Sequence, residues 1–353
     1  MQAWISRLAH ALPGAAIAQA DIACWMEARL PAGADPSRLR RFSERAGVAF
    51  RHAAIDLLGA EGESLYPSGG GPHADALQRS RAFARLAPPL AVQAVRAACP
   101  DGLAGITHLV AATCTGAVAP GLDLLLIDAL GLPRSTRRVM VGFMGCYAAM
   151  PALRVAWDAV RADPHAKVLV VCCELSSLHL QLGPDDDALV AAGLFGDGAA
   201  AAVVEASPGP VGLGLELVRD ACAVVPDTGD QMAWIAAADG FRLRLSPGIP
   251  RSLSGTLTAL TDGLLAGIGR SDARWAVHPG GPRILDDVER CLGLPAQSLD
   301  ASRQALRSAG NRSSGTVLAI IADMCRTAWS GPLAAYAFGP GLTAEGILFH
   351  RHA

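Results

Sequence analysis

The stretch RRVMVGFMGCYAAMPALRVAWDAVRADPHAKVLVVCCE (137–174) contains the pattern that decides the fold. An apolar strand runs to Gly142, an apolar helical segment follows it, and the apolar strand KVLVVCCE (167–174) completes the unit. Strands that are apolar throughout are typical of a sheet buried on both faces. Strands that alternate with helices indicate parallel pairing. The stretch therefore predicts a layered α/β protein with a mostly parallel sheet and helices on both faces.

Several other segments have the same alternating character. They are HLVAATCTG (108–116) with the helical segment 120–130, LFGDGAAAAVVEA (194–206), RWAVHPGGPRILDDVERCLG (274–293), SSGTVLAIIADMCRTA (313–328) and PLAAYAFGPGLTAEGILF (332–349). The similar order of elements predicts an internally duplicated architecture. We place one half at 1–206 and the other at 207–353, with the stretch SPGPVG (207–212) as a linker.

The composition excludes several classes of protein. The 353 residues are 51% hydrophobic and carry a net charge of −2, so no basic field is available to hold a nucleic-acid backbone. Apolar runs are far shorter than the roughly 20 residues of a membrane-spanning helix. The N-terminal segment contains His10 and Pro13, which interrupt its apolar stretch, so we interpret it as the first strand of a cytoplasmic protein rather than a signal peptide.

Nine cysteines are present, and none belongs to a CxxC pair. An odd number without paired spacing argues against a disulfide framework or a structural zinc site. Most of these cysteines are expected to be buried, reduced and inert.

Cys146 is the exception. In GFMGCYAA (142–149) a strand ends, glycine permits a tight bend, and the cysteine stands at the first turn of an apolar helix. Helix N-terminal N–H groups stabilise a thiolate, so this position predicts a depressed thiol pKa and a nucleophile. A small buried hydrophobe at a helix start fits the same pattern, and the stretch alone leaves both interpretations open.

Two further polar residues lie on glycine-flanked turns between a strand and a helix. His278 ends a strand before Pro-Gly-Gly, and Asn311 lies between Gly310 and an apolar helix. Taken singly, such a histidine is more often structural and such an asparagine is usually a helix cap. Together with Cys146 they predict a Cys-His-Asn cluster at one edge of the sheet.

The ordered set of Gly145-Cys146 and four glycine-containing motifs resembles the type III polyketide synthases, the chalcone- and stilbene-synthase-like branch of the thiolase superfamily. The motifs are LFGDGAAA (194–201), HPGGPRILD (278–286), GNRSSGTVL (310–318) and FGPGLTAE (338–345). The resemblance implies a thiolase fold with an αβαβα layered architecture, a homodimer, and catalysis without a metal or bound redox cofactor. It also implies that the substrates are coenzyme A thioesters.

By this resemblance, Cys146 takes an acyl group from an acyl-CoA starter. His278 and Asn311 bind the thioester carbonyl of malonyl-CoA, assist its decarboxylation and stabilise the enolate, which is the work of an oxyanion hole. His278 is also expected to hold Cys146 as a thiolate. Phe195 matches the gatekeeping phenylalanine between the CoA tunnel and the cavity, and Phe338 is placed with the cavity residues.

Three arginines match family positions that contact the CoA phosphates. Arg38, Arg41 and Arg45 have the spacing of one helix face, and guanidinium groups bind phosphate well. A solvated helix face gives the same spacing and stays an open interpretation.

The chain departs from plant members of the family at positions that line the product cavity. Leu243 replaces a phenylalanine, Trp234 a glycine, His179 a threonine and Ala119 a methionine that reaches across the dimer, whereas Ser313 keeps the family's serine. The substitutions predict a reshaped cavity and a pyrone, resorcinol or related bacterial product rather than a chalcone. Trp234 packed in a core is the alternative.

Two other activities remain as alternatives. A β-ketoacyl synthase III-like enzyme would take malonyl from an acyl carrier protein and condense once, although FGPGLTAE argues against it. A Cys-His thioester hydrolase would use the same nucleophile and base without the asparagine. A non-catalytic scaffold is disfavoured, because it has no need for Cys146, His278 and Asn311 together.

Overall fold

The computed structural model of the protein describes residues 2–69, 71–183, 185–209 and 213–352. The predicted linker at 207–212 therefore falls partly on residues 210–212, which lie outside the described residues. The elements up to residue 205 are β1 (Ala3–Ala11), β2 (Ile17–Ala18), α1 (Gln19–Glu27), α2 (Pro36–Arg45), β3 (Phe50–Arg51), α3 (Ala60–Leu65), α4 (Ala76–Ala98), β4 (His108–Thr113), α5 (Leu122–Leu130), β5 (Arg137–Gly142), α6 (Ala149–Ala162), β6 (Lys167–Glu174), α7 (Asp186–Leu194) and β7 (Gly198–Glu205). The later elements are β8 (Leu215–Val224), β9 (Met232–Ala237), β10 (Gly240–Leu245), α8 (Ile249–Leu265), β11 (Arg274–Val277), α9 (Pro282–Leu292), α10 (Asp300–Ala309), α11 (Thr316–Met324), β12 (Gly331–Gly339) and β13 (Thr343–Arg351).

Within the described residues the main sheet has nine strands in the order β11-β12-β13-β8-β1-β7-β6-β4-β5. The prediction of a mostly parallel sheet is wrong. Only β4–β5, β4–β6 and β11–β12 are parallel in the described sheet, and the other neighbours are antiparallel. A parallel connection needs a dozen or more residues. The three residues 340–342 between β12 and β13 are too few, so this pair forms a hairpin.

Alternating strand residues show how the layers stack. On β6, Val168 and Val170 pack with α6 and α11, whereas Leu169 and Val171 pack with α4 and α5 on the other face. The strands β12 and β13 likewise share one face with α6 and α11 and turn the other toward α8 and α9. The two ends of the nine-stranded sheet therefore face each other across the central helices α6 and α11 and form two layers, with outer helices beyond them. This is the predicted αβαβα arrangement.

The glycine-rich segment EGESLYPSGGGPH (61–73) has the composition of a surface loop, but its first residues belong to α3 and Tyr66, which follows, is completely buried. The Tyr66 hydroxyl donates to the carbonyl oxygen of Ser177 (2.7 Å) and accepts from the guanidinium of Arg79 (2.6 Å). Loop-like composition did not reveal these partners, because both are distant in sequence. In the described part of the chain, no helix is long and apolar enough to span a membrane.

Candidate active site

Cys146 lies in a 3-10 turn, Gly145–Tyr147, between the end of β5 and the start of α6. Gly145 has a φ of 76°, and a Cβ there would lie 2.5 Å from Cδ of Pro340 in the β12–β13 turn. The Gly145 N–H also donates to Sγ of Cys114 (2.9 Å). The FGPG turn of the second half therefore packs directly on the turn that carries Cys146, and only glycine fits between them.

The structure brings Cys146 and Asn311 together. The Asn311 amide nitrogen lies 3.8 Å from Cys146 Sγ and its Oδ1 lies 3.9 Å away, although 165 residues separate the two in sequence. Asn311 is 1% exposed, and its Oδ1 accepts the Ser313 N–H (2.8 Å). That hydrogen bond holds the amide edge-on to the sulfur, with Nδ2 as the donor that lies within 4 Å of it.

The thiol of Cys146 is not activated by its surroundings in the chain alone. Burial raises the pKa of Cys146 to about 11, and hydrogen bonds from Ser313 and Asn311 only partly oppose this effect. The expectation of a depressed thiol pKa is therefore wrong for this state of the protein. The prediction considered only the N–H groups at the start of the helix, which stabilise a thiolate. At this buried position the loss of hydration disfavours the thiolate more than those N–H groups favour it.

His278 is poised as a neutral imidazole. It follows β11, it is 1% exposed, and its backbone N–H donates to the carbonyl oxygen of Tyr336 (2.8 Å). Burial, with the Arg312 cation adding to it, lowers the pKa of His278 to about 3. Neither ring nitrogen has a hydrogen-bond partner among the described residues. An imidazole with both nitrogens free is able to donate to a substrate carbonyl or accept a proton.

The raised pKa makes a testable statement about Cys146. Because thiolate is the reactive species, alkylation by iodoacetamide should rise about tenfold per pH unit between pH 7 and 9, well below a pKa of about 11. Mass spectrometry of the Cys146 peptide measures the rate, with the exposed Cys24 and Cys222 as references in the same digest. A plateau below pH 8 would contradict the prediction and indicate a thiolate held by imidazolium.

Phe195 and Asn311 are joined through their backbones. They form a parallel β-bridge in which the Asn311 N–H donates to the Leu194 carbonyl (2.9 Å) and the Gly196 N–H donates to the Asn311 carbonyl (3.0 Å). Phe195 immediately follows α7. The predicted gatekeeper and the predicted oxyanion donor thus form one backbone unit.

Sequence reasoning missed Glu174, a carboxylate at the end of β6 that is fully buried. It accepts hydrogen bonds from the hydroxyls of Thr115 (2.7 Å) and Ser314 (2.5 Å) and from the Cys114 N–H (3.0 Å). It ties the end of β4 to the asparagine loop. A charged residue that closes the apolar run KVLVVCC (167–173) was the available signal, because a buried charge requires partners.

A cleft of about 840 Å³ lies beside Phe195. Its walls include three of the predicted cavity residues, His179, Trp234 and Leu243, together with Phe241, which the sequence reading did not single out. The Trp234 and Phe241 rings are stacked at 5.4 Å, and the Trp234 indole N–H donates to the Cys114 carbonyl (2.8 Å). Trp234 therefore lines the cleft and is held against Cys114, the residue whose sulfur accepts the Gly145 N–H.

His179 is locked in one tautomer. Its Nε2–H donates to the Thr115 carbonyl (2.8 Å), and Nδ1 accepts the Phe241 N–H (3.4 Å). Burial lowers the pKa of His179 to about 4, so it is a neutral wall residue.

The remaining predicted residues are distributed as follows. Ser313 is buried in the asparagine loop beside Cys146, whereas Phe338 lies in the core against α8 and α9 and is not among the described residues that line the cleft. Arg38 lines the cleft and is ion-paired with Asp186, whereas Arg41 and Arg45 lie exposed on α2. The arginine helix is confirmed; its contact with CoA stays a prediction.

Comparison with known proteins identifies the family. Residues 77–208 match the family model "Chalcone and stilbene synthases, N-terminal domain", and residues 216–352 match the corresponding C-terminal domain. The chain belongs to the chalcone and stilbene synthase family.

Individual relatives agree. The "Alpha-pyrone synthesis polyketide synthase-like Pks18" of Mycobacterium tuberculosis is 35% identical over 98% of this chain and 90% of its own length. The C-terminal type III polyketide synthase domain of Steely1, a type I/III hybrid from Dictyostelium, superposes with a TM-score of 0.92 at 26% identity and full coverage of both chains. PKS-I from the brown alga Ectocarpus siliculosus superposes with a TM-score of 0.91 at 28% identity, and the match covers 99% of this chain and 98% of the algal chain. The predicted type III polyketide synthase class and thiolase fold are confirmed.

Proposed function

We propose that this type III polyketide synthase loads an acyl-CoA starter on Cys146, extends it with malonyl-CoA and releases an α-pyrone. The observation that carries the proposal is the position of the Asn311 amide nitrogen, 3.8 Å from Cys146 Sγ. A donor at that distance serves an enolate that forms next to an acylated sulfur. The 35% identity to a protein whose name refers to α-pyrone synthesis supports the product class.

The proposed steps assign one task to each residue. The Cys146 sulfur attacks the starter thioester carbonyl, and coenzyme A leaves as its thiol. Malonyl-CoA then loses carbon dioxide, and the electron pair of the broken C–C bond moves into a thioester enolate stabilised by Asn311 and His278. The enolate carbon attacks the acyl carbonyl on Cys146, and the thiolate leaves. Because decarboxylation supplies the carbanion, these steps call for CoA thioesters and no redox change.

Release as a pyrone follows from repetition of the cycle. After two extensions, an enol oxygen of the triketide attacks its own thioester carbonyl, a six-membered lactone forms, and the CoA thiol leaves. The neutral, aromatic wall made by His179, Trp234 and Phe241 suits an apolar chain, because it offers few hydrogen bonds that compete with cyclisation.

We further propose that the enzyme is a cytoplasmic homodimer joined along β5. This strand is the edge of the sheet, and its Val139 and Met140 are 43% and 38% exposed. Phe143 and Met144, which follow the strand, are also exposed. An edge strand with apolar exposed side chains is a docking surface for a second copy. The cytoplasm is where acyl-CoA and malonyl-CoA are available as substrates.

The test of the proposed function uses purified protein, malonyl-CoA and acyl-CoAs of short, long and aromatic type. Mass spectrometry should find a starter-sized adduct on the Cys146 peptide and a released pyrone, and light scattering of the same preparation should give a dimer mass. Starter loading from an acyl carrier protein but not from CoA would favour the single-condensation alternative. Thioester cleavage without carbon dioxide release would favour a hydrolase.

Replacing Trp234 by glycine should shift the products toward longer chains, because it removes an indole ring from the cleft wall and leaves Phe241 without its stacking partner. Liquid chromatography with mass spectrometry of the products measures the shift. Trp234→Phe is the matched control, since it keeps an aromatic ring but loses the N–H bond to the Cys114 carbonyl. An unchanged product profile in Trp234→Gly would remove this residue from the determinants of chain length.

A further inference from the structure

Arg51, at the end of β3, is a buried cation that donates its hydrogen bonds to backbone carbonyls and has the buried carboxylate of Asp197 as a charged neighbour. It is 3% exposed, and its Nη1 donates to the carbonyl oxygens of Ala192 (2.5 Å) and Phe195 (3.0 Å). Its Nε and Nη2 have no hydrogen-bond partner among the described residues. Burying a guanidinium with unused donors costs folding free energy. The two hydrogen bonds that Arg51 does make therefore show which segment of the chain it holds.

Both carbonyls belong to the segment that delivers Phe195. Helix α7 ends at Leu194, and the last carbonyls of a helix have no partner within the helix. Arg51 satisfies two acceptors at this end, where a positive charge also complements the helix dipole. Arg51 thereby fixes the point at which the chain leaves α7 and turns into the Phe195 bridge.

The same side chain lies against the asparagine loop. A Cβ on Gly310 would lie 3.2 Å from Cγ of Arg51 and 2.8 Å from the Leu194 carbonyl oxygen, so the Gly310 backbone packs directly on both. The next residue, Asn311, is hydrogen-bonded to Leu194 and Gly196 on the other side of the bridge. One side chain therefore contacts both segments of the bridge that joins Phe195 to Asn311.

We propose that Arg51 is a positioning residue that sets the Asn311 amide against Cys146 by holding the segment 194–196 and Gly310 in register. Arg51 does not line the cleft among the described residues, and it acts through these two segments. The inference rests on the proposed function. If Asn311 serves the enolate of the extension step, a shift of the bridge weakens extension, because a misplacement of about 1 Å can cost about 10²-fold. Acylation of Cys146 by the starter depends on Asn311 only through the smaller effect of its amide on the thiol pKa.

The test compares Arg51→Met and Arg51→Lys with wild type. Intact-mass kinetics measure starter loading on Cys146, carbon dioxide release measures malonyl-CoA decarboxylation, and thermal unfolding measures the folded fraction. Arg51→Met is expected to lower the decarboxylation kcat about 10- to 100-fold per folded molecule, with loading within about twofold of wild type. Arg51→Lys should restore part of the decarboxylation kcat, because an ammonium keeps the charge but reaches fewer carbonyls.

Arg351→Lys is the matched control. Arg351 also donates to two backbone carbonyls, those of Thr327 (2.8 Å) and Cys325 (3.2 Å), but at the end of β13 opposite to its turn with β12. The Arg351→Lys variant should leave the rates of starter loading and of malonyl-CoA decarboxylation unchanged.

Equal losses of loading and decarboxylation in both Arg51 variants, in proportion to the folded fraction, would overturn the inference and make Arg51 a structural residue only. If Arg51→Met does not fold, Arg51→Lys decides by the same comparison. A wild-type protein that neither loads a starter nor releases carbon dioxide would instead overturn the proposed function, whatever the variants do.

Discussion

Replacing Cys146 by alanine should reduce starter loading by roughly 10⁴-fold or more while leaving measurable decarboxylation of malonyl-CoA. Loss of a catalytic nucleophile removes the covalent route outright. Decarboxylation needs a polarised thioester carbonyl, and both candidate donors remain in this variant: the Nδ2 of Asn311 and the ring of His278, which has no hydrogen-bond partner in the part of the chain that the structure describes. Intact-mass spectrometry for the adduct and carbon dioxide release for decarboxylation measure the two activities separately.

Cys325→Ala is the control for loss of a thiol. Cys325 follows α11, is 8% exposed and lies in the core shared by the central helices, so this variant should keep both activities. The exposed Cys24 and Cys222 report adventitious acylation by reactive thioesters. A correctly folded Cys146→Ala protein that has lost both activities would contradict the division of roles between the sulfur and the two donors.

Much of the fold follows from local sequence. The strand–helix–strand unit at 137–174 is predicted because its apolar runs and its helix are each contiguous, and the structure has β5, α6 and β6 there. The direction of pairing is a different matter, since it depends on the length of each connection. The FGPG turn (338–341) is visible in the sequence as a short connection, and the structure shows that only three residues join β12 to β13, which excludes a parallel crossover.

In the candidate site, too, local features could be predicted from the sequence and features that depend on tertiary packing could not. Cys146, His278 and Asn311 were predicted as site residues because each occupies a glycine-flanked turn, which is a local feature, and the structure brings Cys146 and Asn311 together. The pKa of Cys146 was not predictable, because the desolvation that raises it comes from the assembled site, in which residues of both halves surround the sulfur. Electrostatic surroundings of this kind are set by tertiary packing rather than by the helix start alone.

The role proposed for Arg51 could not be predicted from the sequence. Arg51 stands in the two-residue strand β3, and no pattern distinguishes it from the chain's other arginines until α7 and the asparagine loop are folded around it. Glu174 differs, because a carboxylate at the end of an apolar strand is unusual in itself. The residues that hold a site together are thus harder to find than those that carry the chemistry.

Asn311→Asp should lower malonyl-CoA decarboxylation by about 10²- to 10³-fold, the typical cost of losing one oxyanion donor. The substitution keeps an oxygen that accepts the Ser313 N–H (2.8 Å), the bond that holds the loop in place. It replaces the Nδ2 donor, which lies 3.8 Å from the Cys146 sulfur, with a negatively charged oxygen. Asn311 is the only asparagine in the chain, so no second amide of this kind substitutes for it.

The new charge has a second effect that pH separates from the first. A carboxylate near Cys146 raises the thiol pKa further above about 11 and should slow starter loading by about tenfold at neutral pH. Raising the pH by one unit multiplies the thiolate fraction about tenfold and should restore loading. Decarboxylation should not recover, because a missing donor is not replaced by removing protons. Measuring both rates from pH 7 to 9 decides the point: recovery of both would show that Asn311 acts only through the thiol, and recovery of loading alone would assign its amide to the enolate.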